Sequence, residues 1–420
     1  VSKLEYLTVA DALARVLATV SVLETERVPL ADALDRVLAE PVVARDSLPP
    51  FDNSSMDGYA LHSADIVHAS AENPVALRVV ADVAAGSWPE FTLERGTAAR
   101  IMTGAPVPPG ADAVVPVEDT DEQWRDRERS LPETISVSRC VGAGDYIRRI
   151  GSDVLAGVQV IDAGHLVRPQ EIGLMASLGV SHVAVFRRPR VGILSTGDEL
   201  IAVDASLTPG KIRNSNSYAQ AAQVTAAGAI PMLLGTAGDT EASVRERLQA
   251  GLDAGVDLFV SSAGVSVGAY DVVKAVLEQD GSVGFWRVRM RPGKPLAFGR
   301  YAGVPYLGLP GNPVSAMLSF ERFARPAMLK MAGHTKLDRP QITVTMLEPM
   351  HSGGRESYIR AIIERTEDGY TATTTGGQDS HMITSLVNAN GLVIIPEGVN
   401  DVAAGEQLTA MMIDWPPNVF

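Results

Sequence analysis

Residues 190–200 read RVGILSTGDEL, residues 257–271 read DLFVSSAGVSVGAYD, and residues 305–317 read PYLGLPGNPVSAM. Each stretch starts as a short apolar run, breaks at glycine, and continues into a helical pattern. Two more apolar runs, AIPMLLG and VGFWRVRM, alternate with helical segments at 217–227 and 240–254. Strand–helix alternation of this kind predicts a parallel sheet with helices on both faces. Loops at the carboxyl ends of such strands converge, and ligands bind there. These loops carry Asp, Glu, Ser, Thr, Asn and unobstructed amides, which suit phosphate-like anions and a divalent metal better than an apolar ligand. The expectation is an enzyme acting on a small anionic substrate.

Outward from this block the texture changes. TVADALARVLATV (8–20) has apolar residues at helical spacing with Thr8 as N-cap, and a second short helix is expected over 31–39. From 46 to 144 short β-like runs (ALRVVADV, TAARIM, ADAVVPVE) are punctuated by Pro and Gly, and 144–164 leads back toward the first helices. After Pro340 the chain is β-like again: QITVTML, YIRAIIER, YTATTT, GLVIIPEG, EQLTAMM. The fold class is therefore α/β multidomain. A central parallel-sheet domain spans 186–335 and a small β domain 46–144. A discontinuous helical and mixed linking domain covers 1–45 with 145–185, and a C-terminal β-barrel-like domain covers 336–420.

Composition narrows the function classes. The 420 residues are 46% apolar and 20% charged, as in a globular protein, with a net charge of 36 − 50 = −14. That balance argues against nucleic acid or a membrane surface as partner, while leaving room for a small anion held by local cations. No apolar run approaches the roughly 18 residues of a membrane span and no secretory pattern is visible, so a cytoplasmic location is expected. The opening VSKLEYL lacks an initiating Met, which predicts a short leader removed ahead of it. The single Cys140 excludes a disulfide or Cys-based zinc cluster within these residues and is expected to be buried.

The loops offer several chemistries. GVSVG (264–268) matches the G-x-S-x-G nucleophile pattern, so a hydrolase using Ser266 is one reading. Against it, about five residues separate the serine from the apolar run, where a nucleophile elbow turns at once. As an anion cradle, Ser262, Gly264, Ser266 and Gly268 would present hydroxyls and amides ahead of a helix starting near Asp271. Carboxylates gather at the same edge: Asp198, Glu199, Asp239 and Asp271. Oxygen-only ligands favour Mg²⁺, although Asp239 could equally cap a helix and Asp271 complement a helix dipole. In WRVRMRPGKPLAFG (286–299), Arg287, Arg289 and Arg291 are expected to alternate along one strand face, and Lys294 sits in a Pro-Gly turn suited to a phosphate. Asn312 is a natural N-cap and Pro313 a natural first helical residue, leaving Ser315 to face a ligand. Arg148, Arg149 and Asp153 form another charged spot. In LPPFDNSSMDGYA (48–60), Asp52, Asn53 and Asp57 serve either as turn formers or as part of a site supplied by a second domain.

PFDNSSMDGYA, RIMTGAPVPPGADAVV, GSDVLAG, LSTGDEL, SSAGVSVGAYD, RPGKPLAFG, GLPGNPVSAM and ANGLVIIPEG, in this order along nearly the whole chain, resemble the signatures of the MoeA family of molybdopterin molybdenumtransferases, related to the gephyrin E domain. The resemblance implies a molybdopterin-binding-like sheet domain in a four-domain subunit, and an elongated homodimer whose active site is shared between subunits. It implies Mg²⁺-dependent insertion of molybdate into adenylylated molybdopterin with release of AMP, the final step of molybdenum cofactor formation. Transient contact with the molybdopterin adenylyltransferase follows from the same likeness. It gives catalytic positions to Asp57, Thr103, Asp153 and Lys294 and metal ligands to Glu199, Asp239 and Asp271. It adds Ser380 as a substrate-binding position, beside Arg148, Ser262, Gly264, Ser266, Asn312, Pro313 and Ser315, which the reading of the loops and charged spots above assigns to substrate binding. Two residues depart from the usual pattern: Arg291 where many relatives have Lys, and Asp379 where Gly is usual. A scaffold role, as in gephyrin's related domain, is the alternative of a different class.

Overall fold

The computed structural model describes residues 6–122, 130–262 and 272–415. The chain divides into two compact units. The larger comprises Val1–Val28, Asp35–Ala39 and Ala184–Phe420, and the smaller comprises Pro29–Leu34 and Glu40–Val183. No described helix is long and apolar enough to cross a membrane.

The larger unit is built on a seven-stranded sheet. Its parallel core runs in the order Val304–Leu309, Leu258–Ser262, Arg190–Thr196, Ile230–Ala237. Every residue of Leu258–Ser262 is buried, as a strand covered on both faces requires. Alternate residues point to opposite layers. Ile193 and Val260 pack with Val224, Leu318 and the Val9–Thr19 helix, while Leu194 and Phe259 pack with Val244, Leu248 and Val276. The other half of the sheet departs from the parallel reading. Pro295–Tyr301 forms an antiparallel hairpin with Val304–Leu309 and also pairs antiparallel with Gly281–Val288, whose far side takes Tyr6–Leu7. The two-residue turn at Ala302 and Gly303, both at positive φ, is what lets the chain double back there.

Thr8 caps Val9–Thr19 as the spacing predicts, its Oγ1 accepting from the Asp11 N–H at 3.1 Å. The expected helix over 31–39 is absent. Only Leu30–Asp32 forms a short 3₁₀ turn, and Asp35 adopts a φ of 59°, which no right-handed helix accommodates. The arginines of 286–299 do not share a strand either. The sheet strand ends at Val288, and Met290–Arg291 pairs instead with Glu356–Ser357.

That pairing leads into a second sheet. Gln341–Met346, Glu356–Thr366, Gly369–Thr374, Gly391–Ile395 and Gln407–Met412 close on themselves as a five-stranded barrel filled by Val344, Ala361, Ile363, Val393 and Met412.

The smaller unit carries a five-stranded sheet in the order Ala113–Pro116, Gly58–Leu61, Thr97–Ile101, Val75–Val83, Thr134–Val137. Cys140 follows the last of these in irregular chain and is exposed, contrary to the expectation drawn from its residue type. The helix Pro169–Ser177 is closed at its start by Glu171, whose carboxylate accepts from the Arg168 guanidinium at 2.5 Å, the Arg168 N–H at 2.9 Å and His165 at 3.1 Å. The guanidinium above all, opposed by burial, pulls the Glu171 pKa from its usual 4.5 to about 2. A carboxylate depressed on folding stabilises above its unfolded pKa and loses that contribution as pH falls through the folded value. Glu171→Gln is therefore expected to be less stable at pH 7 and to lose less stability than the native chain between pH 4.5 and about 2. Urea denaturation at several pH values measures this, and equal acid slopes for the two chains contradict it.

Candidate functional site

A cavity of about 700 Å³ in the larger unit opens at the carboxyl ends of the parallel strands, with Thr196, Ser262 and Pro310 in its wall. This is where strand ends, each followed by a loop, must deliver their side chains. Below it lies a buried hydroxyl and amide network. Ser195 Oγ is 2.7 Å from Ser217 Oγ and 3.0 Å from Ser262 Oγ, and Asn214 donates to Ser217 Oγ and Thr236 Oγ1 at 3.0 and 3.1 Å. Asn214 also caps the Ser215–Ala226 helix, accepting from the Ser217 N–H. So Ser262, expected as a free ligand donor, is already engaged by Ser195 and acts as a preset part of the cavity floor.

The wall is cationic. Among the described residues its charged side chains are Arg213, Arg291, Lys294 and Arg355 against Glu199 and Asp379, a balance of 4 − 2 = +2 in a chain of net charge −14. Arg291 donates to the Ser352 carbonyl at 2.8 Å and Arg355 to the Met290 carbonyl at 3.1 Å, so both forks are braced by backbone. Burial first, and then the neighbouring Arg291 charge, lower the Arg355 pKa. Behind them Arg360 is only 1% exposed and donates to Ser385 Oγ at 3.0 Å and to the Asp379 carbonyl at 3.2 Å. Burial lowers its pKa to about 10, with Asp379 opposing, and it remains charged at neutral pH. Several cations held close together by fixed partners are the arrangement an anion relieves.

Asn312 occupies the N-cap of Pro313–Ser319 but makes no side-chain cap bond. Its amide instead donates to Ser380 Oγ at 3.0 Å, while the Val314 N–H donates to the Ser380 carbonyl at 3.1 Å. A residue of the C-terminal segment is thereby stitched to the start of the helix, and Asn312, Pro313, Ser315 and Ser380 share one wall of the cavity.

The carboxylates divide. Glu199 lines the cavity, folded back over Gly197, where any Cβ would meet its carboxylate. Asp239 instead pairs with Asp198: the Asp239 N–H donates to Asp198 Oδ1 at 3.2 Å, and the Asp198 N–H lies 3.4 Å from Asp239 Oδ2. The N-cap of Glu241–Asp253 is Thr240, not Asp239, so Asp239 is not committed to capping. No group of three metal-ligating side chains forms among the described residues. Gly264, Ser266 and Asp271, and with them the hydrolase reading, lie outside the described residues.

The smaller unit gathers a second set. Asp57 Oδ1 accepts from both the N–H and the Oγ1 of Thr103, at 2.7 and 2.8 Å, 46 residues apart in sequence. Ile147–Arg148 pairs with Asn53–Ser54, bringing Arg148 beside the same loop, and the Asp153 N–H donates to the Leu48 carbonyl at 3.0 Å. Burial pushes the Asp52 carboxyl up, but the Ile150 N–H and the Arg149 guanidinium, at 2.7 and 2.6 Å, outweigh it and hold the pKa below its usual range. Asp57, Thr103, Arg148 and Asp153 thus lie on one loop cluster of this unit, apart in sequence from the strand-end cavity residues.

Sequence reasoning missed Arg213, Asn214, Asn216, Arg355 and Gln378, all in the cavity wall. The polar run RNSNS before a helix was the available signal for the first three, as a cap-rich start to a helix. Arg355 and Gln378 come from barrel loops with no local pattern to mark them.

Family models match three stretches: residues 7–179 the "MoeA N-terminal region (domain I and II)", 192–330 the "Probable molybdopterin binding domain", and 343–412 the "MoeA C-terminal region (domain IV)". Molybdopterin molybdenumtransferase 2 of Mycobacterium tuberculosis is 43% identical over 389 residues, 91% of this chain and 93% of that protein. The molybdopterin molybdenumtransferase of a Nostoc species is 38% identical over 399 residues, 93% of this chain and 89% of that protein. Among solved structures, the molybdopterin biosynthesis MoeA protein of Pyrococcus horikoshii aligns with a TM-score of 0.79 at 27% identity, over 97% of this chain and 100% of that one.

Proposed function

The chain belongs to the MoeA family of molybdenum cofactor biosynthesis enzymes, and from that premise we propose that it inserts molybdate into adenylylated molybdopterin and releases AMP. The observation that carries this reading is the strand-end cavity with a net positive wall in an acidic chain. The substrate's anhydride phosphates and the molybdate dianion are the anions it would take.

Breaking a phosphoanhydride needs charge neutralisation and positioning more than a protein nucleophile. Lys294 meets the anhydride phosphates, and Arg291 and Arg355 hold the molybdate or the pterin-side phosphate. Asn312, Ser315 and Ser380 supply neutral donors that fix orientation. An oxygen of bound molybdate forms the new bond to the adenylyl phosphorus as the anhydride oxygen leaves with the pterin phosphate; the two dithiolate sulfurs then take molybdenum as its bond to that oxygen breaks, and AMP leaves carrying the oxygen. If water attacks instead, it gives up its proton to solvent and AMP leaves directly, and molybdate loses an oxygen as water when the sulfurs bind. The pterin dithiolate holds the metal product, which accords with a chain that has one cysteine.

Glu199 in the cavity wall, with the Asp198–Asp239 pair at the next strand end, offers oxygen donors only, a set that fits Mg²⁺ bound through one or two carboxylates and substrate phosphate. Bound there, the ion would neutralise charge developing on the phosphates. Asp271 is the further ligand in this reading. The Asp57 carboxylate, fixed by its two Thr103 bonds, together with Arg148 and Asp153, is supplied by a second copy of the chain in a homodimer. The molybdopterin adenylyltransferase, which makes the substrate, is the expected transient partner.

The test is incubation of the purified chain with adenylylated molybdopterin, molybdate and Mg²⁺. AMP and active cofactor are expected together, and both are expected to fall away when EDTA replaces Mg²⁺. A folded protein that yields neither product overturns the proposal.

A further inference from the structure

We propose that Trp88, braced by Phe51, is a stacking subsite for a planar heteroaromatic ring of the substrate, the pterin or the adenine. The inference rests on the reading that the substrate is an adenylylated pterin. It adds a recognition element for the part of that molecule that carries no phosphate.

The topology of the smaller unit puts Trp88 beside the Asp57 loop. Val75–Val83 and Thr97–Ile101 run parallel with Val83 opposite Ile101, so the loop from Ala84 and the loop from Met102 leave the sheet at the same edge. The Met102 N–H donates to the Val83 carbonyl at 3.2 Å, keeping the two exits together. Gly58 is also paired with Ile101, so Asp57 stands at that edge too, joined to Thr103. The sheet therefore delivers Trp88, Thr103 and Asp57 to one place from three strands.

The loop holds the indole up to solvent. Ser87 turns the chain through its N–H and hydroxyl, both donating to the Ala84 carbonyl at 3.1 and 2.6 Å, with Gly86 at a φ of 85°. Farther along the loop Leu93 is buried and Phe91 packs into the core, yet Trp88 stays 68% exposed. Its ring meets Phe51 edge-to-face, at 5.8 Å between centroids and 86° between planes. Phe51 immediately precedes Asp52, the carboxylate locked to Arg149 and the Ile150 N–H. An aromatic pair in T geometry is rigid at low entropic cost and leaves ring surface to cover.

The neighbours select the occupant. Stacking on indole suits any flat π-system, and ring-edge amino groups, present on both pterin and adenine, suit the exposed Asp57 carboxylate as acceptor. A purely apolar occupant would leave Asp57 and Thr103 without exchange for their hydration.

The experiment compares the native chain with Trp88→Leu and Trp88→Phe for binding of AMP, of a soluble pterin and of pyrophosphate by calorimetry, with sedimentation and melting run alongside. The expected result is a loss of about 5- to 100-fold in affinity for one ring ligand in Trp88→Leu, largely recovered in Trp88→Phe, with pyrophosphate binding unchanged. Which ring ligand responds tells pterin from adenine. In turnover, the same variant is expected to raise KM more than it lowers kcat. Equal ring-ligand affinities in the native and Leu chains, no ring-ligand binding by the native chain, or a change confined to dimerisation would each overturn the subsite. Failure of the functional reading shows separately, as absence of AMP release by the native chain.

Discussion

Lys294→Ala is expected to lower kcat/KM for AMP release by about 10²- to 10³-fold with the fold intact, the scale of losing one preorganised charge partner in a water-poor site. The fold should survive because backbone, not the ammonium, shapes the turn. The Lys294 carbonyl accepts from the Val288 N–H at 2.7 Å, and Gly293, at a φ of 114°, sits so close to Ser319 that a Cβ would come within 2.7 Å of its Oγ. The ammonium lies 5.7 Å from the Tyr6 ring centre and lines the cavity, where an anion can meet it. Lys294→Arg should recover only part of the loss, since a planar fork does not replace a point charge. Steady-state AMP release decides: a loss below tenfold would remove Lys294 from the chemistry. The proposal that two subunits share the site is testable with the same variant. Mixing Lys294→Ala with Asp57→Ala chains under subunit exchange should restore about a quarter of native activity, because half the dimers are mixed and each then has one intact site of two. No restoration above the parent variants would place both residues in a single-chain site.

Glu321→Ala is expected to destabilise the larger unit by about 3–5 kcal/mol, the usual result of removing one member of a buried ion pair and stranding the other charge. Glu321 is 7% exposed and holds two arginines: Oε1 accepts from Arg325 at 2.5 Å and from Arg339 at 2.8 Å. It sits in the wider π-type turn Phe320–Ala324 that joins Pro313–Ser319 to Arg325–Met331, just where Pro326 has no N–H to continue the α pattern. The triad thus secures an irregular turn on the same helical run whose first turn holds the cavity wall. Urea denaturation with hydrogen exchange read over 313–331 measures the effect. Replacing all three charges by apolar residues of similar size should recover most of the loss. A change below about 1 kcal/mol in the single variant would show that water already screens the triad.

The loops after Arg190–Thr196 and Val304–Leu309 were legible because each carries its own local punctuation, an apolar run and a glycine with a cap farther on; most of the loop at 257–271 lies outside the described residues. The Thr8 cap and the alternation between 189 and 330 were legible for the same reason. The hairpin partner Pro295–Tyr301 was not, since PLAFG reads as a short run after a turn and nothing local shows that it runs antiparallel. The three arginines of 286–299 looked like one strand face because period-two spacing cannot reveal a chain that changes sheets after Val288. Cys140 was misjudged from the average behaviour of its residue type, which its position in an exposed connection overrides. Glu199, Lys294, Asn312 and Ser315, singled out from their loops, line the cavity. Arg355 and Gln378 were missed because barrel closure alone brings them to the cavity.

By itself the sequence determined many of the strands and helices, though not the 31–39 segment or the Pro295–Tyr301 strand, that an anion is the chemistry most of the loops suit, and through its ordered motifs the family. Those depend on short-range pattern: periodicity, caps and glycines act within a few residues. Tertiary structure alone decided that Asp57 and Thr103 touch, that Ser380 is tied to Asn312, that Ser262 belongs to a buried network, and that four cations outnumber two carboxylates around one cavity. Each of these joins residues tens to hundreds of positions apart, and such contacts are set by which sheets close and which layers pack, a cooperative result that no local spacing encodes.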